Sequence, residues 1–338
     1  MHIFVYEWVT GGGMVEHSVT SVGSLLREGT TMVRSVAGDF SRIPDTRVTV
    51  FRDVQLATFP VAGCDVVDID SRGAHDEEFD RLVDSADVTL LIAPEFDGVL
   101  TNLVSRAESR GARLISPGSE FVLMASDKHR TSERLAAAGV PVPRALVLEP
   151  DDSLPRDFPY PAVLKPNEGC GSQDIFVVAT PFERPPPYAW PRRLEQYVPG
   201  LAASVAVLSG PAGLFPLAPC RQSLSSDGRL RYLGGSLPLA RGLAMRACDL
   251  ALSAVRAMPA CTGFVGVDLV LGGDPEGGDD VVIEINPRIT TPYVGLRAVA
   301  EQNLAEQMLR VARGATAEIS FKKRSVEFDT LGTVSYID

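Results

Sequence analysis

Two strand-like segments in the C-terminal third constrain this chain most. Residues 263–271 read GFVGVDLVL and residues 281–286 read VVIEIN, and the segment between them is rich in glycine and acidic residues. This pattern is typical of an antiparallel hairpin. A symmetric connection places Asp268 directly opposite Glu284, with Cβ atoms about 4.5–5.5 Å apart, and turns Asn286 to the same face.

Two like charges in that position repel each other. Mg²⁺ or Mn²⁺ would relieve the repulsion, because such cations prefer carboxylate and amide oxygens. We therefore expect a metal site at Asp268, Glu284 and Asn286. The alternative is a solvent-exposed polar face, and a one-residue slip in register would remove the argument. Arg288 follows closely and is the expected partner of a transferring phosphoryl group, unless it forms a structural ion pair with one of the carboxylates.

A second hairpin pattern surrounds a glycine-rich segment. A strand at residues 162–165 ends in Lys165, residues 167–172 read NEGCGS, and a strand follows at residues 174–178. The segment is not a P-loop, because the required spacing is absent and no helix follows. Its backbone N–H groups could still close over phosphates beside Lys165. The alternative is an ordinary hairpin with a solvated lysine.

The first 115 residues or so alternate short apolar strands with helix-like segments, a pattern typical of a parallel sheet. Helices are expected at residues 15–37, 75–85 and 102–110, and a strand at residues 113–116. In such sheets ligands lie beyond the carboxyl ends of the strands. Two loops fall there. One carries three successive glycines at residues 11–13, which could hold an anion or form only a tight turn, and the other reads PEFDG at residues 94–98.

The composition excludes several classes of protein. A formal net charge of −11 argues against nonspecific nucleic-acid binding, which depends on neutralising phosphates. No apolar run approaches a membrane span, and the N-terminus lacks the features of a signal peptide. Five cysteines without a C-x-x-C spacing indicate neither a zinc site nor a disulfide framework. We expect a cytoplasmic protein with no nucleic-acid or membrane partner.

Taken together, the segments resemble the ATP-grasp superfamily. The matching pieces are SDK around Lys128, VLKPNEGCGS around Lys165, LEQYVPG at Glu195, GVDLV at Asp268 and IEINPR at Glu284. The resemblance implies a mixed α/β and α+β fold, in which an ATP-grasp unit follows a small Rossmann-like parallel α/β domain. The expected parts are that domain at residues 1–118, a lid with the glycine-rich loop at 119–195, a metal-binding part at 196–318 and an extension at 319–338.

The resemblance also implies roles for residues. Lys128 and Lys165 would contact the phosphates of ATP, and Lys165 and Arg288 would be the catalytic residues, with Arg288 steadying an acyl phosphate. One or two Mg²⁺ (or Mn²⁺) ions would bind at the carboxylate pair. The loop would cover the phosphates through Gly169, Gly171 and Ser172, and adenine would meet Glu195, Gln196, Tyr197 and Val198. The family often has a ribose-binding acid about seven residues after the position of Glu195, where this chain has Ala202.

At finer grain, the triple glycine, APEFDG at residues 93–98 and NPRITTPYVGL at residues 286–296 resemble the tyramine–glutamate ligase branch. Those enzymes join the γ-carboxylate of glutamate to tyramine during methanofuran synthesis. The resemblance therefore implies a ligase that takes a small carboxylate and an amine. Candidate residues for binding the amine are Glu7, Glu95 and Asp97, and those for binding a carboxylate are Arg221, Arg288 and Thr290. Gly12 and Gly13 are further candidates for contact with a substrate.

Three alternatives remain open at this point. The chain could be an ATP-grasp ligase for another amino acid and amine, a nucleotide-binding regulator with little turnover, or a kinase that releases a phosphorylated product. The absent ribose acid motivates the regulator, whereas the intact set of lysines and carboxylates favours an enzyme. Dimers are common among such ligases, and the sequence leaves the oligomeric state open.

Overall fold

The computed structural model describes residues 1–17, 23–56, 61–171 and 173–337. The strands of these residues form three sheets. We call them the N-terminal sheet, the small sheet and the central sheet, in chain order.

The N-terminal sheet is parallel, as predicted, and its strand order is β3-β2-β1-β4. Its strands are β1 (His2–Glu7), β2 (Arg47–Asp53), β3 (Asp65–Ile69) and β4 (Val88–Ile92). Helices α1 (Gly23–Phe40), α2 (Arg72–Ser85) and α3 (Val99–Ser109) cover it. The order reverses direction at β1, and loops at the carboxyl ends of β1 and β4 therefore border a crevice.

Two sequence-based boundaries in this unit were wrong. Helix α1 begins at Gly23 and ends at Phe40, later at both ends than predicted, and residues 18–22 lie outside the described part of the chain. The strand expected at residues 113–116 contributes only an isolated bridge between Thr89 and Leu114.

The small sheet is antiparallel and has the order β5-β8-β6-β7. Helices α4 (Ser119–Ser126) and α5 (Lys128–Ala137) precede strands β5 (Ala145–Leu148), β6 (Ala162–Pro166), β7 (Phe176–Val178) and β8 (Arg192–Gln196). Strands β6 and β7 form the predicted hairpin with the glycine loop (residues 167–172) between them. Helix α5 starts where it does because the Asp127 side chain accepts from the backbone N–H groups of His129 and Arg130, as an N-cap should.

The central sheet is antiparallel, with the order β14-β13-β9-β11-β12-β15-β16 and β10 paired to β9. Its strands are β9 (Leu201–Gly210), β10 (Gly213–Pro216), β11 (Cys220–Leu224), β12 (Tyr232–Leu237), β13 (Gly263–Leu271), β14 (Val281–Asn286), β15 (Ser325–Asp329) and β16 (Val334–Ile337). Helix α6 (Arg241–Ala257) packs on one face through small residues such as Ala247 and Ala251. Helices α7 (Tyr293–Val299) and α8 (Leu304–Ala312) pack on the other face, together with α1.

This arrangement sets the site between the units. One face of the central sheet meets the N-terminal unit through α1, α7 and α8, and residues of the small sheet and of the central sheet line one cavity. The C-terminal extension has its partner within the chain, because β15 pairs with β12. All five cysteines are free, and Cys220 is buried while the other four are half-buried. In the described residues, no helix combines the length and apolarity that crossing a membrane requires.

Candidate active site

The hairpin of β13 and β14 has the predicted register. Asp268 lies opposite Glu284 and Gly266 lies opposite Asn286, and the register then shifts so that Leu269 faces Val282. The shift leaves Ile283 as an extra residue, which is a β-bulge. Asn286 Nδ2 donates to Oδ2 of Asp268 over 3.1 Å, so the predicted shared face is confirmed.

The pKa values of Asp268 and Glu284 reflect the repulsion between the two carboxylates. Burial and the charge of Glu284 raise the pKa of Asp268 to about 7. Burial also acts to raise the pKa of Glu284, but Lys128, Lys165 and Arg288 outweigh it and hold that pKa below its usual value. Lys128 Nζ lies 3.7 Å from Oε2 of Glu284. The protein thus offsets the charge of Glu284 more fully than that of Asp268.

These residues fit a divalent cation. In the described part of the chain, Asp268 accepts from the side-chain amides of Gln222 (2.8 Å) and Asn286, and the Ser204 hydroxyl also acts on it; none of these three donors carries a charge. An amide can turn and offer its oxygen instead. Within the described ranges, no group of three or more His, Cys, Asp or Glu side chains forms a metal site. An ion here would therefore have two carboxylates and an amide as protein ligands, which suits Mg²⁺ with phosphate and water completing its shell.

Lys165 lies in a buried charge network on the small sheet. Its ammonium is 3.1 Å from Oε1 of Glu195, and Oε2 of Glu195 accepts from Arg193 Nε over 2.9 Å. Arg193 also contacts His129 Nδ1 at 3.0 Å and donates to Ser132 Oγ over 2.9 Å. The carboxylate of Glu195, predicted beside adenine, is therefore engaged by these two cations.

The glycine loop is attached to the start of α5. Lys128 Nζ donates to the carbonyl of Gly169 over 2.6 Å, and its backbone N–H donates to the carbonyl of Asn167. These contacts explain a lysine in the first turn, where the helix dipole disfavours a cation. Gly169 and Gly171 have φ values of +145° and +68°, and a Cβ at Gly171 would come within 2.9 Å of Leu25 in α1. Ser172 lies outside the described residues.

A cavity of about 680 Å³ lies between the small sheet and the central sheet, a size typical of small-molecule sites. It brings together most of the predicted site residues. These are Lys165, Gly171, Glu195, Gln196, Tyr197, Val198, Arg221, Asp268, Glu284, Asn286, Arg288 and Thr290. Lys128 and Gly169 are not among the lining residues. Lys128 lies close to Glu284, which lines the cavity, and Gly169 belongs to the same glycine loop as Gly171. Ala202 also lines the cavity.

Three residues of the N-terminal loop do not line this cavity. The Glu7 carboxylate is buried and accepts from the backbone of Val9 and Thr10 and from the Thr10 hydroxyl. The loop is a tight turn in which Gly13 donates its N–H to the Trp8 carbonyl. A Cβ at Gly12 would overlap Ile69, and one at Gly13 would overlap the Trp8 ring. These contacts place Glu7, Gly12 and Gly13 in turn formation and packing, and their role toward a substrate stays a prediction.

The second N-terminal loop acts through Arg288. Arg288 Nη2 donates to Oε2 of Glu95 over 3.1 Å, and Nε lies 2.9 Å from Oε1 without hydrogen-bond alignment. Arg288 is thus in an ion pair, as the alternative expected, but its partner is Glu95 rather than a metal carboxylate. Glu95 is buried and engaged by Arg288, and its predicted contact with an amine stays a prediction. Asp97 is exposed and lies outside the cavity lining.

The two remaining candidates behave differently. Arg221 borders the cavity, but it pairs with Ala203 and neighbours Gln222, whose side chain reaches Asp268. Successive strand residues point to opposite faces, so Arg221 points away from the carboxylate pair. Thr290 is buried at the cavity, and its Oγ1 has no hydrogen-bond partner among the described residues.

The sequence reasoning missed several polar residues that line the cavity. They are Glu28, Gln222, Ser225, Ser226, Tyr232 and Thr291. Gln222 and Tyr232 lie on strands without a motif, and Glu28 lies in α1, whose approach to the central sheet is a tertiary contact. Thr291 stands inside NPRITTPYVGL and was the one that a motif could have indicated.

Comparisons with known proteins agree with this geometry. The ATP-grasp domain family matches residues 125–292, and the pre ATP-grasp 3 domain family matches residues 46–122. A tyramine–L-glutamate ligase of Methanocaldococcus fervens is 24% identical over 96% of this chain and 98% of its own. An ATP-grasp superfamily protein of Archaeoglobus fulgidus superposes with a TM-score of 0.73 at 22% identity, covering 97% of this chain and 92% of that one.

An L-amino acid ligase of Bacillus licheniformis superposes with a TM-score of 0.69 at 16% identity, over 96% of this chain and 74% of that chain. Both family matches, the whole-chain similarity to a named ligase and the fold lead to one assignment. The predicted fold, an ATP-grasp unit after a parallel α/β domain, is confirmed. The chain belongs to the ATP-grasp superfamily and is a carbon–nitrogen ligase of that family.

Proposed function

We propose that this ligase joins the γ-carboxylate of L-glutamate to tyramine, at the expense of ATP, through an acyl phosphate. The observation that carries the reaction type is the carboxylate pair Asp268 and Glu284, which opens onto the same cavity as Lys165 and Arg288. The whole-chain similarity to tyramine–L-glutamate ligases supports the substrate pair.

The nucleotide would lie between the small sheet and the central sheet. Lys128 and Lys165 would bind its phosphates, with the glycine loop above them, and the segment from Gln196 to Val198 would meet adenine. Glu195 would act by holding the ammonium of Lys165 in place. Around Ala202 the lining is apolar, with Leu201 and Leu269, so the ribose would bind without a carboxylate partner from that position.

Asp268, Glu284 and Asn286 would hold the Mg²⁺, which when bound neutralises charge on the phosphates. Arg288 provides a second positive charge, and Glu95 sets its orientation. A cation fixed beforehand at the point where negative charge develops stabilises the transition state without reorganisation.

The reaction proceeds in two displacements. A carboxylate oxygen of the substrate attacks the γ-phosphorus, the bond to the ADP oxygen breaks, and an acyl phosphate forms. The amine nitrogen then attacks the acyl carbon, and inorganic phosphate leaves with the bonding electron pair while the nitrogen gives up a proton. Such chemistry needs positioning and charge stabilisation more than a protein nucleophile.

The test is ADP release by the purified protein with Mg²⁺, ATP, L-glutamate and tyramine, each omitted in turn. We expect ADP to depend on both substrates and an amide product to appear by mass spectrometry. Asp268→Asn should lower the rate by about 100-fold or more. Asp249→Asn, at an exposed position of α6, is the matched control and should leave the rate unchanged.

Other outcomes point to the alternatives. ADP release that needs L-glutamate but no amine would indicate a kinase or a different acceptor. Turnover with another carboxylate and amine would keep the ligase and replace the substrate pair. Nucleotide binding without ADP release for any combination in a broad panel would favour a regulator and contradict our proposal.

A further inference from the structure

Glu28 is an acidic side chain in the cavity that the proposed reaction leaves without a role. It lies in α1 of the N-terminal unit and lines the cavity beside the central sheet. Its Oε2 accepts a long hydrogen bond of 3.4 Å from the Thr291 hydroxyl. A Cβ built on Gly171 would lie 4.0 Å from Oε1 of Glu28. The carboxylate therefore stands next to the loop predicted to cover the phosphates.

No cation of the described residues forms an ion pair with Glu28 at close range. Among the described residues, the ion pairs within 4.0 Å do not include it, and Arg288 is engaged by Glu95. Burial raises the pKa of Glu28, and the more distant charges of Arg288 and Arg27 oppose that rise only in part. A carboxylate withdrawn from water in this way is stabilised by a cation that enters the cavity.

Two other residues that line the same cavity as Glu28 carry hydroxyl groups without partners among the described residues. Tyr232 Oη and Thr290 Oγ1 are buried, and neither has a hydrogen-bond partner in the described part of the chain. After burial itself, the charges of Cys220, Asp268 and Glu28 raise the pKa of Tyr232. The charges of Asp268 and Glu28 therefore both act on the Tyr232 hydroxyl. Buried polar atoms without partners in a cavity indicate that a ligand supplies the missing bonds.

We propose that Glu28 binds the ammonium group of the amino acid whose carboxylate is activated, with the Tyr232 and Thr290 hydroxyls as neighbouring hydrogen-bonding groups. This inference rests on the proposed function and adds a binding residue to it: Glu28 recognises the carboxylate donor, an α-amino acid, by its charged amino group. The sequence reasoning had placed acidic recognition at Glu7, Glu95 and Asp97 instead.

The chemistry assigns Glu28 to the amino acid rather than to the attacking amine. An amine attacks through its lone pair, so it must lose its proton before it reacts. A nearby carboxylate stabilises the protonated, unreactive form. Glu28 therefore suits an ammonium group that stays protonated throughout the reaction, and the amino group of the amino acid is such a group.

The experiment compares L-glutamate with glutarate, which has both carboxylates but no amino group. Binding of each compound is measured by calorimetry with a non-hydrolysable ATP analogue and Mg²⁺ present, and turnover is measured as ADP release. Wild type should prefer L-glutamate over glutarate. Glu28→Gln should reduce this preference by about 30-fold or more, because it removes one partner of a buried charge pair. Binding of the ATP analogue should not change.

Glu77→Gln is the matched control, since Glu77 is exposed on α2 of the same unit, and it should keep the preference of wild type. Thermal unfolding of Glu28→Gln establishes that the variant is folded. If Glu28→Gln weakens the two ligands equally, or leaves the preference intact, the assignment of Glu28 is wrong even where the ligase reaction is observed. If L-glutamate binds with the expected dependence on Glu28 but no ADP is released, the subsite stands and the proposed reaction fails.

Discussion

The buried charges around Glu195 allow a prediction about which side chain is costlier to remove. The hydrogen bonds that each side chain forms favour Arg193, whereas the charges left unpaired after its removal favour Glu195. Lys165, Arg193 and Glu195 are all at most 4% exposed. Arg193 has polar contacts with three residues, whereas Glu195 has contacts with two. Counting contacts therefore makes Arg193 the costlier residue to remove.

Charge balance predicts the opposite order. Glu195→Gln leaves two buried cations without an anion, and breaking a buried pair in this way costs about 3–5 kcal/mol. Arg193→Met leaves the pair of Lys165 and Glu195 intact. It removes hydrogen bonds to Ser132 and His129, which are partly exposed and can bind water instead, so the expected cost is about 1–2 kcal/mol.

The assay is thermal unfolding monitored by calorimetry, which measures Tm. For 338 residues, the unfolding entropy is about 0.7 kcal/mol per kelvin. Glu195→Gln should therefore lower Tm by about 4–7 °C and Arg193→Met by about 1–3 °C. Glu77→Gln is the control for the chemical change alone. An Arg193→Met variant destabilised as much as Glu195→Gln, or more, would refute the charge-balance argument.

Three further predictions follow from particular contacts. Gly13→Ala should lower the free energy of unfolding by about 1–3 kcal/mol, because its Cβ would overlap the Trp8 ring. Gly38→Ala in α1 has open space for the Cβ and should raise that free energy by about 0.5–1 kcal/mol. Denaturant unfolding of both variants measures the difference, and equal effects would contradict the prediction. Burial lowers the pKa of His75 below 6.5 in the folded state, so the unfolded chain takes up a proton first and stability falls as pH drops below about 6.5. His75→Gln should flatten that part of the curve of Tm against pH, and parallel curves would exclude His75 as the cause. Glu95→Gln frees the guanidinium of Arg288 and should lower ADP release by up to about 100-fold, with Tm measured on the same sample; an unchanged rate in a folded variant would remove the orienting role of Glu95.

Much of the site was predictable because it lies within single hairpins. The alternation of side chains along β13 and β14, together with the length of their connection, determines which residues face each other. The pair Asp268 and Glu284 could therefore be derived from the sequence, and so could the glycine loop between β6 and β7. The bulge at Ile283 was not predicted, because it depends on local strand twist rather than on pattern.

Two acidic residues predicted to bind the amine have partners within the protein. Glu7 and Glu95 follow strands of the N-terminal sheet, where ligand-binding residues are common, and both are acidic. In the structure Glu7 closes its own turn, while Glu95 is paired with Arg288, 193 positions away in the sequence. The Arg288 partner of Glu95 does not follow from local pattern, because it depends on how the two units pack in three dimensions.

The sequence by itself determined the parallel N-terminal sheet, the two hairpins that carry the glycine loop and the carboxylate pair, and the residues that we propose bind metal and phosphate. These depend on local periodicity, turn residues and short motifs, which act over a few neighbouring residues. Only the tertiary structure decided which charges are neutralised and which stay free for a ligand. Glu95 and Glu28 are both acidic residues of the N-terminal unit. One is paired with Arg288 and the other faces the cavity without a cation, because burial and distance to charges far along the chain set the free energy of each carboxylate.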